Sequence, residues 1–215
     1  MNIEERLQEE ILDGRLSPGL KINISSLKKE YQVSLAPLRE ALSRLASKGL
    51  LDFEQNKGFK VPEVSEQELR DLYEINAHLE ALALEQAMDR GGAGWEEEIV
   101  ASLFQLGKAE SRTPNPDYEE WRAADNRFHD ALIAGCSPFL IELRKQAHLK
   151  TVRYVRIAFG NALCKMPKFS HDHKALADAV LKRDKNKAIE LMKSHFREGC
   201  ELVFKKFNKI KDNHA

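Results

Sequence analysis

The sequence predicts a mainly α-helical protein in two unlike parts: an N-terminal winged helix-turn-helix with a small β-hairpin wing, and a C-terminal all-helical bundle. Three observations carry this. Residues 33–61, VSLAPLREALSRLASKGLLDFEQNKGFKV, read as a helix start, an amphipathic helix, then two strands joined by a tight turn. Beyond them, helix-punctuating residues recur between apolar stripes at helical spacing: GGAG at 91–94, TPNP at 113–116, Pro138 and Pro167. The texture changes across Pro62 to Ser65, which places the domains at 1–64 and 65–215.

Ile3, Leu7, Ile11 and Leu12 recur at helical spacing and predict a first helix. Gly14, Pro18 and Gly19 in GRLSPG then favour a turn. Ile22 and Ile24 suit a short strand, and Ser25 or Ser26 suits the cap of a second helix to about Tyr31. Ser34 caps a third, with Pro37 in its first turn, where a missing N–H costs little. Leu38, Ala41, Leu42 and Leu45 form its buried stripe, and Gly49 stops it. Leu51 and Phe53 alternate, Asn56-Lys57-Gly58 turns, and Phe59 and Val61 alternate back. Ser65-Glu66-Gln67-Glu68 resembles a capping box opening a helix to about Arg90. Further helices are expected at about 95–110, 117–135, 138–162, 168–183 and 185–208, so the second part reads as a bundle. Trp95, Trp121, Phe128 and Phe139 are assigned to its core.

Composition narrows the function. Of 215 residues, 42% are hydrophobic and 32% charged, which supports a packed core and excludes bulk disorder. No run approaches the roughly 18 apolar residues of a membrane span. MNIEERLQEEIL is acidic and amphipathic, the wrong character for a secretion signal. Cys136, Cys164 and Cys200 are an odd number with no close pair, so reduced thiols and a cytoplasmic location are expected. The 34 basic and 34 acidic residues cancel, which argues against a nonspecific nucleic-acid coat. A specific reader needs only a few Arg and Lys on one face, and a dimer doubles them.

In a helix-turn-helix, early residues of the second helix face base edges and phosphates. Here those are Ser34, Leu35, Ala36 and Arg39, with Arg44 further on. Lys57 and Gly58 form the tip of the wing. A single arginine on a helix is as often a solvated charge; the ordered succession of helix, turn, helix and hairpin carries the reading. PLREALSRLASKGLL and NKGFKV resemble the signature and wing of the GntR-type bacterial transcription regulators. The resemblance implies DNA contacts from Ser34, Arg39, Arg44 and the Lys57–Gly58 tip. Leu35 stands where many members carry an arginine, which implies a different or less G-rich operator.

A second constellation lies in the bundle. Asp125 and His129 are four apart in DNRFHDAL, one face of a helix, and His173 and His195 sit on two later helices. Three imidazoles and a carboxylate suit a borderline divalent metal, such as zinc, nickel or manganese, if the helices bring them together. Residues 65–207 resemble the all-helical ligand-binding domain of the FadR branch of the GntR-type regulators. ELRDLYEINAHLEALALEQAM resembles its opening helix, DNRFHDALIAGC its D-x3-H motif, and His195 falls in its M-x-x-H segment. That implies a metal-bearing pocket, a small carboxylate effector, and a homodimer on a palindromic double-stranded operator.

Asn76 departs from the arginine usual in that opening helix, so Arg122, Arg153 and Arg156 become candidates to hold the effector carboxylate. His148 and His171 are further polar candidates. SEQEL, GGAGWEEE and ALIAGC are similar to segments of a carbon-starvation-induced, glutarate-responsive member, which points to a dicarboxylate such as glutarate. The alternative function is a metal-dependent hydrolase-like enzyme using Asp125, His129, His173 and His195 to activate water. It leaves the N-terminal reader unexplained. An architectural DNA binder fits poorly with neutral charge and a large helical domain.

Overall fold

The computed structural model describes residues 2–111, 118–159 and 170–212. The TPNP break, Cys164 and Pro167 lie outside them, as does the side chain of His171. Among the described residues are nine helices and one two-stranded antiparallel sheet: α1 (Ile3–Leu12), α2 (Ile24–Tyr31), α3 (Leu35–Ser47), β1 (Asp52–Glu54), β2 (Gly58–Lys60), α4 (Glu66–Arg90), α5 (Ala93–Ser111), α6 (Tyr118–Leu132), α7 (Pro138–Phe159), α8 (Ser170–Leu181) and α9 (Lys185–Asp212).

The N-terminal part packs three short helices and the hairpin around Leu7, Ile11, Leu38, Leu42, Leu45, Leu50 and Val61. Asn2 and Glu5 make a reciprocal capping box at the start of α1. Ile22 does not build a strand. Its N–H bonds the Phe59 carbonyl at 2.8 Å, and pairing beyond the hairpin is limited to an isolated bridge between Lys21 and Lys60. The chain then turns at once, and Asn23, not Ser25 or Ser26, caps α2 by accepting from the Ser26 N–H at 3.0 Å. Gln32 closes α2 in the left-handed region (φ 53°) and starts the turn into α3. Phe53 pairs with Phe59 across the hairpin, and Gly58 (φ 87°) supplies the positive φ of its tip.

In the bundle α4 runs along α7 and α9, α5 packs on α6 and α8, and α8 on α9. Leu84, Ile99, Leu106, Phe128, Leu132, Val180 and Met192 fill one core, and Leu69, Tyr154, Phe159, Val203 and Phe207 a second. Trp95 and Phe128 are buried and Trp121 is partly so, but Phe139 is 73% exposed. It lies in the first turn of α7, with exposed Leu143 one turn on. Ser65 caps α4 through Glu68 N–H, yet the capping box is not closed directly. The Tyr154 hydroxyl sits between the two, accepting from the Ser65 N–H at 2.9 Å and donating to the Glu68 carboxylate.

Helix α7 joins the two parts. Leu149 and Val152 pack on the N-terminal core, Arg153 donates to the Pro62 carbonyl at 2.6 Å, and Arg156 donates to Glu9 and Asp13 of α1 at 2.6 and 2.8 Å.

Candidate functional site

The exposed face of α3 and the wing enclose an open groove of about 900 Å³, lined by Lys21, Asn23, Ser25, Arg39, Ser43 and Lys57 among others. Arg39 is exposed and makes no ion pair among the described residues. Ser34 has the extended backbone of an N-cap but spends no side-chain bond on the helix, so its hydroxyl is available outward. Leu35 is 46% exposed. Gly58 lines the groove beside Lys57, whose ammonium meets the Glu54 carboxylate at 2.5 Å. Arg44 is turned away. Its Nε donates to Glu4 of α1 at 2.6 Å and it pairs with Glu40 at 3.8 Å, whereas Ser43, four residues after Arg39, shares that arginine's face.

Inside the bundle, α6, α8 and α9 bring Asp125, His129, His173 and His195 together. One nitrogen from each imidazole lies within 4.8 Å of the others. Asp125 Oδ1 is 3.4 Å from His173 Nε2 and 3.9 Å from His129 Nε2. Phe128 and Phe196 pack against the cluster in T-shaped contacts. His129 Nδ1 and both nitrogens of His173 are buried without a hydrogen-bond partner among the described residues. Unpaired buried imidazoles are costly, so the donor set fits a cation better than it fits itself. Burial holds His129 well below the ordinary imidazole range and His195 down to about 3. Both are neutral near pH 7, with lone pairs available. Burial also raises Asp125 to about 6, with Glu110 adding to the rise and His173 opposing it.

Sequence reasoning missed three residues here. Glu110, near the end of α5, lies 3.5 Å from His173 Nδ1, where a carboxylate orients a ligating imidazole. Arg144 lines the chamber beside the imidazoles; it is buried, donates through Nε to Glu80, and pairs with Asp130 at 2.7 Å. Thr151 accepts from Asn76 Nδ2 at 2.9 Å, and the Asn76 Oδ1 is buried without a hydrogen-bond partner. The chamber is small, about 140 Å³.

Neither Arg153 nor Arg156 lines this chamber. The two share a face of α7, but it is the face on Pro62 and α1; Arg144, His148, Thr151 and Val155 form the stripe that looks inward. Arg122 lies outside as well, in a cleft between α1, α6 and α7. The signal for Arg144 was in the sequence as the spacing 144, 148, 151, 155.

Residues 1–61 match the gntR family of bacterial regulatory proteins, and residues 71–198 match the FCD domain. The chain belongs to the GntR family. It is 35% identical over 202 residues to the HTH-type transcriptional repressor GlaR of Escherichia coli (strain K12), covering 92% of each protein. It is 33% identical over 204 residues to the HTH-type transcriptional regulator BphR of Paraburkholderia xenovorans (strain LB400), covering 93% of this chain and 82% of that protein. The solved structure of E. coli McbR/YncC shares the fold, with a TM-score of 0.75 at 21% identity over 95% of this chain and 96% of the other. The protein is therefore a GntR-family transcription regulator with an FCD domain, not an enzyme. No helix among its described residues is long and apolar enough to cross a membrane.

The buried imidazoles of this GntR-family regulator are expected to make its metal-free form acid-sensitive. His148 is held down to about 4 and His195 to about 3, chiefly by burial, and His129 is lowered too. Each binds a proton less readily folded than unfolded, so stability is lost as pH falls below about 6.5. Asp125, raised to about 6, and Glu80, raised by burial, work the other way at acid pH, two buried carboxylates against three imidazoles. The melting temperature of chelator-treated protein is expected to fall by about 5 °C or more between pH 7 and pH 5. Thermal melts at the two pH values check this; equal or higher melting at pH 5 refutes it.

Proposed function

We propose that the chain is a ligand-responsive repressor, in which residues 1–64 read an operator and residues 65–215 bind a small carboxylate at a metal site and dimerise. The convergence of Asp125, His129, His173 and His195 from three helices, with the buried nitrogens of His173 and Nδ1 of His129 making no hydrogen bond among the described residues, is the observation that carries the effector half of this reading. Those four residues would hold a divalent cation of the zinc, nickel or manganese class. When bound, the cation supplies positive charge against which a carboxylate can pack. A chamber of about 140 Å³ is far below the roughly 300–1,000 Å³ of typical ligand pockets, which supports an acid of a few carbons, such as glutarate. Arg144 and Thr151 line the chamber and would position it, with Asn76 bonded to Thr151. GlaR's description as a repressor supports repression here.

Ile75 and Leu82 are exposed, seven apart on α4, and Phe139 and Leu143 are exposed, four apart on α7, against which α4 packs. Apolar side chains left on adjoining helices support a homodimer, whose two-fold symmetry a palindromic operator mirrors. Effector binding shifts the population between inter-domain arrangements, and about 1–3 kcal/mol of coupling changes operator affinity roughly 5- to 150-fold. A shift assay with the DNA upstream of the protein's own gene, metal-loaded and with or without glutarate, tests the reading. Retardation that glutarate weakens is expected; protein that binds no genomic fragment refutes it.

Leu35 sets a specificity expectation. An exposed leucine in the first turn of the reading helix offers no hydrogen bond and suits a thymine methyl, whereas arginine pairs with a guanine edge. Selection from randomised operators is expected to return thymine at one position per half-site for the wild type. Leu35→Arg should replace it with guanine and leave the other positions unchanged. The same preference in both proteins removes Leu35 from the reading surface.

A further inference from the structure

We propose that the cleft between α1, α6 and α7 is an anion site continuous with the histidine chamber, and that a dianion spanning both loosens the DNA-reading part from the bundle. This rests on the effector site proposed above.

The cleft holds about 290 Å³. Asn126, Arg144, His148 and Val152 line both it and the chamber, so the two spaces share a wall, and the proposed dianion would pass between these four residues. Its far side is Glu9 and Leu12 of α1, which belongs to the DNA-reading part. Arg144, Lys145 and Arg156 line it together with Glu9 and Asp130, while Glu80 and Asp13, outside the lining, pair with Arg144 and Arg156.

Arg156 is the critical group. It is only 7% exposed, it lines the cleft, and its Nε is buried without a hydrogen-bond partner. Its present acceptors, Glu9 and Asp13, have side chains 39% and 40% exposed. The exchange is therefore lopsided. A carboxylate arriving from the cleft keeps the buried guanidinium paired, while the two displaced carboxylates pass into water that already solvates them. Arg156 is also the ion-pair link from α7 to α1, beside the apolar contacts of Leu149 and Val152 and the Arg153 bond to Pro62. An anion that takes it over removes the charged part of the contact between the two domains. One end of the ligand then reports on the chamber and the other on the domain interface, through residues of a single helix.

The experiment uses the full-length, metal-loaded protein with unbranched dicarboxylates of four to eight carbons, and acetate as the single-charge control. Calorimetry is expected to show the best dicarboxylate binding at least about tenfold tighter than acetate. In a shift assay that dicarboxylate weakens operator binding roughly 5- to 150-fold, while acetate changes it less than about twofold. Arg156→Gln keeps metal content and acetate affinity but loses both the tenfold advantage and the operator response. Removing the competitors from the other side, in a Glu9→Gln, Asp13→Asn double variant, tightens dicarboxylate binding by about threefold or more. Dicarboxylates no tighter than acetate, or Arg156→Gln responding as the wild type does, overturns the proposal. Should the wild type bind no operator, the regulator reading fails, and the calorimetric comparison of wild type with Arg156→Gln still decides the cleft.

Discussion

Arg39→Ala lowers affinity for the operator by at least about 25-fold and leaves the fold intact. The size follows from chemistry and symmetry. A bidentate arginine contact to a base edge is worth about 1–3 kcal/mol, or roughly 5- to 150-fold, and a dimer on a palindrome loses it twice. The fold survives because Arg39 is exposed and makes no ion pair among the described residues. The buried stripe of α3, Leu38, Ala41, Leu42 and Leu45, does not include it. Arg44→Ala is the informative contrast. Its guanidinium is already engaged by Glu4 on α1, so the change removes an exposed ion pair worth at most about 1 kcal/mol and alters operator binding far less. Shift assays on the two variants, with circular dichroism to confirm the fold, check both expectations. Unchanged affinity in Arg39→Ala moves the reading surface elsewhere; equal losses in both variants remove the distinction between the two faces of α3.

Much of the architecture was legible because it depends on local chemistry. The apolar stripe of α3, the stop at Gly49 and the positive φ of Gly58 are demands that particular residues make on their own neighbourhood. What stayed hidden depends on which helix lies opposite. The hydroxyl of Tyr154 enters the cap of α4 from a residue far away in sequence, so a capping box read from Ser65 and Glu68 alone misplaced the Glu68 carboxylate. Phe139 looked like core because it is large and apolar, yet solvent is what faces it in this chain. The candidate metal ligands were found by residue type and spacing, together with a resemblance. The arginines were not, since spacing told that Arg153 and Arg156 share a face of α7 without telling which neighbour that face meets. Arg144 was passed over for the same reason: its partners, Glu80 and Asp130, come from two other helices.

His173→Ala is expected to cut bound metal from about one ion per chain to below about 0.1, and with it the response to any carboxylate. His173 is 1% exposed and sits between two carboxylates, Asp125 at 3.4 Å and Glu110 at 3.5 Å, so its loss removes a donor and leaves those acids facing each other across a void. A structural role alone would also disturb that void, and a second substitution separates the two accounts. His173→Leu fills that space with apolar volume, so chelator-treated protein should keep its fold and a cooperative melt. A metal held at 1,000 times its dissociation constant adds about 4 kcal/mol to the wild type, roughly 10 °C at this chain length, and should add nothing to His173→Leu. Elemental analysis and paired melts with and without chelator make the measurement. Full metal occupancy in His173→Ala, or a His173→Leu protein that metal stabilises as much as it does the wild type, would mean that these imidazoles serve the core and not a cation.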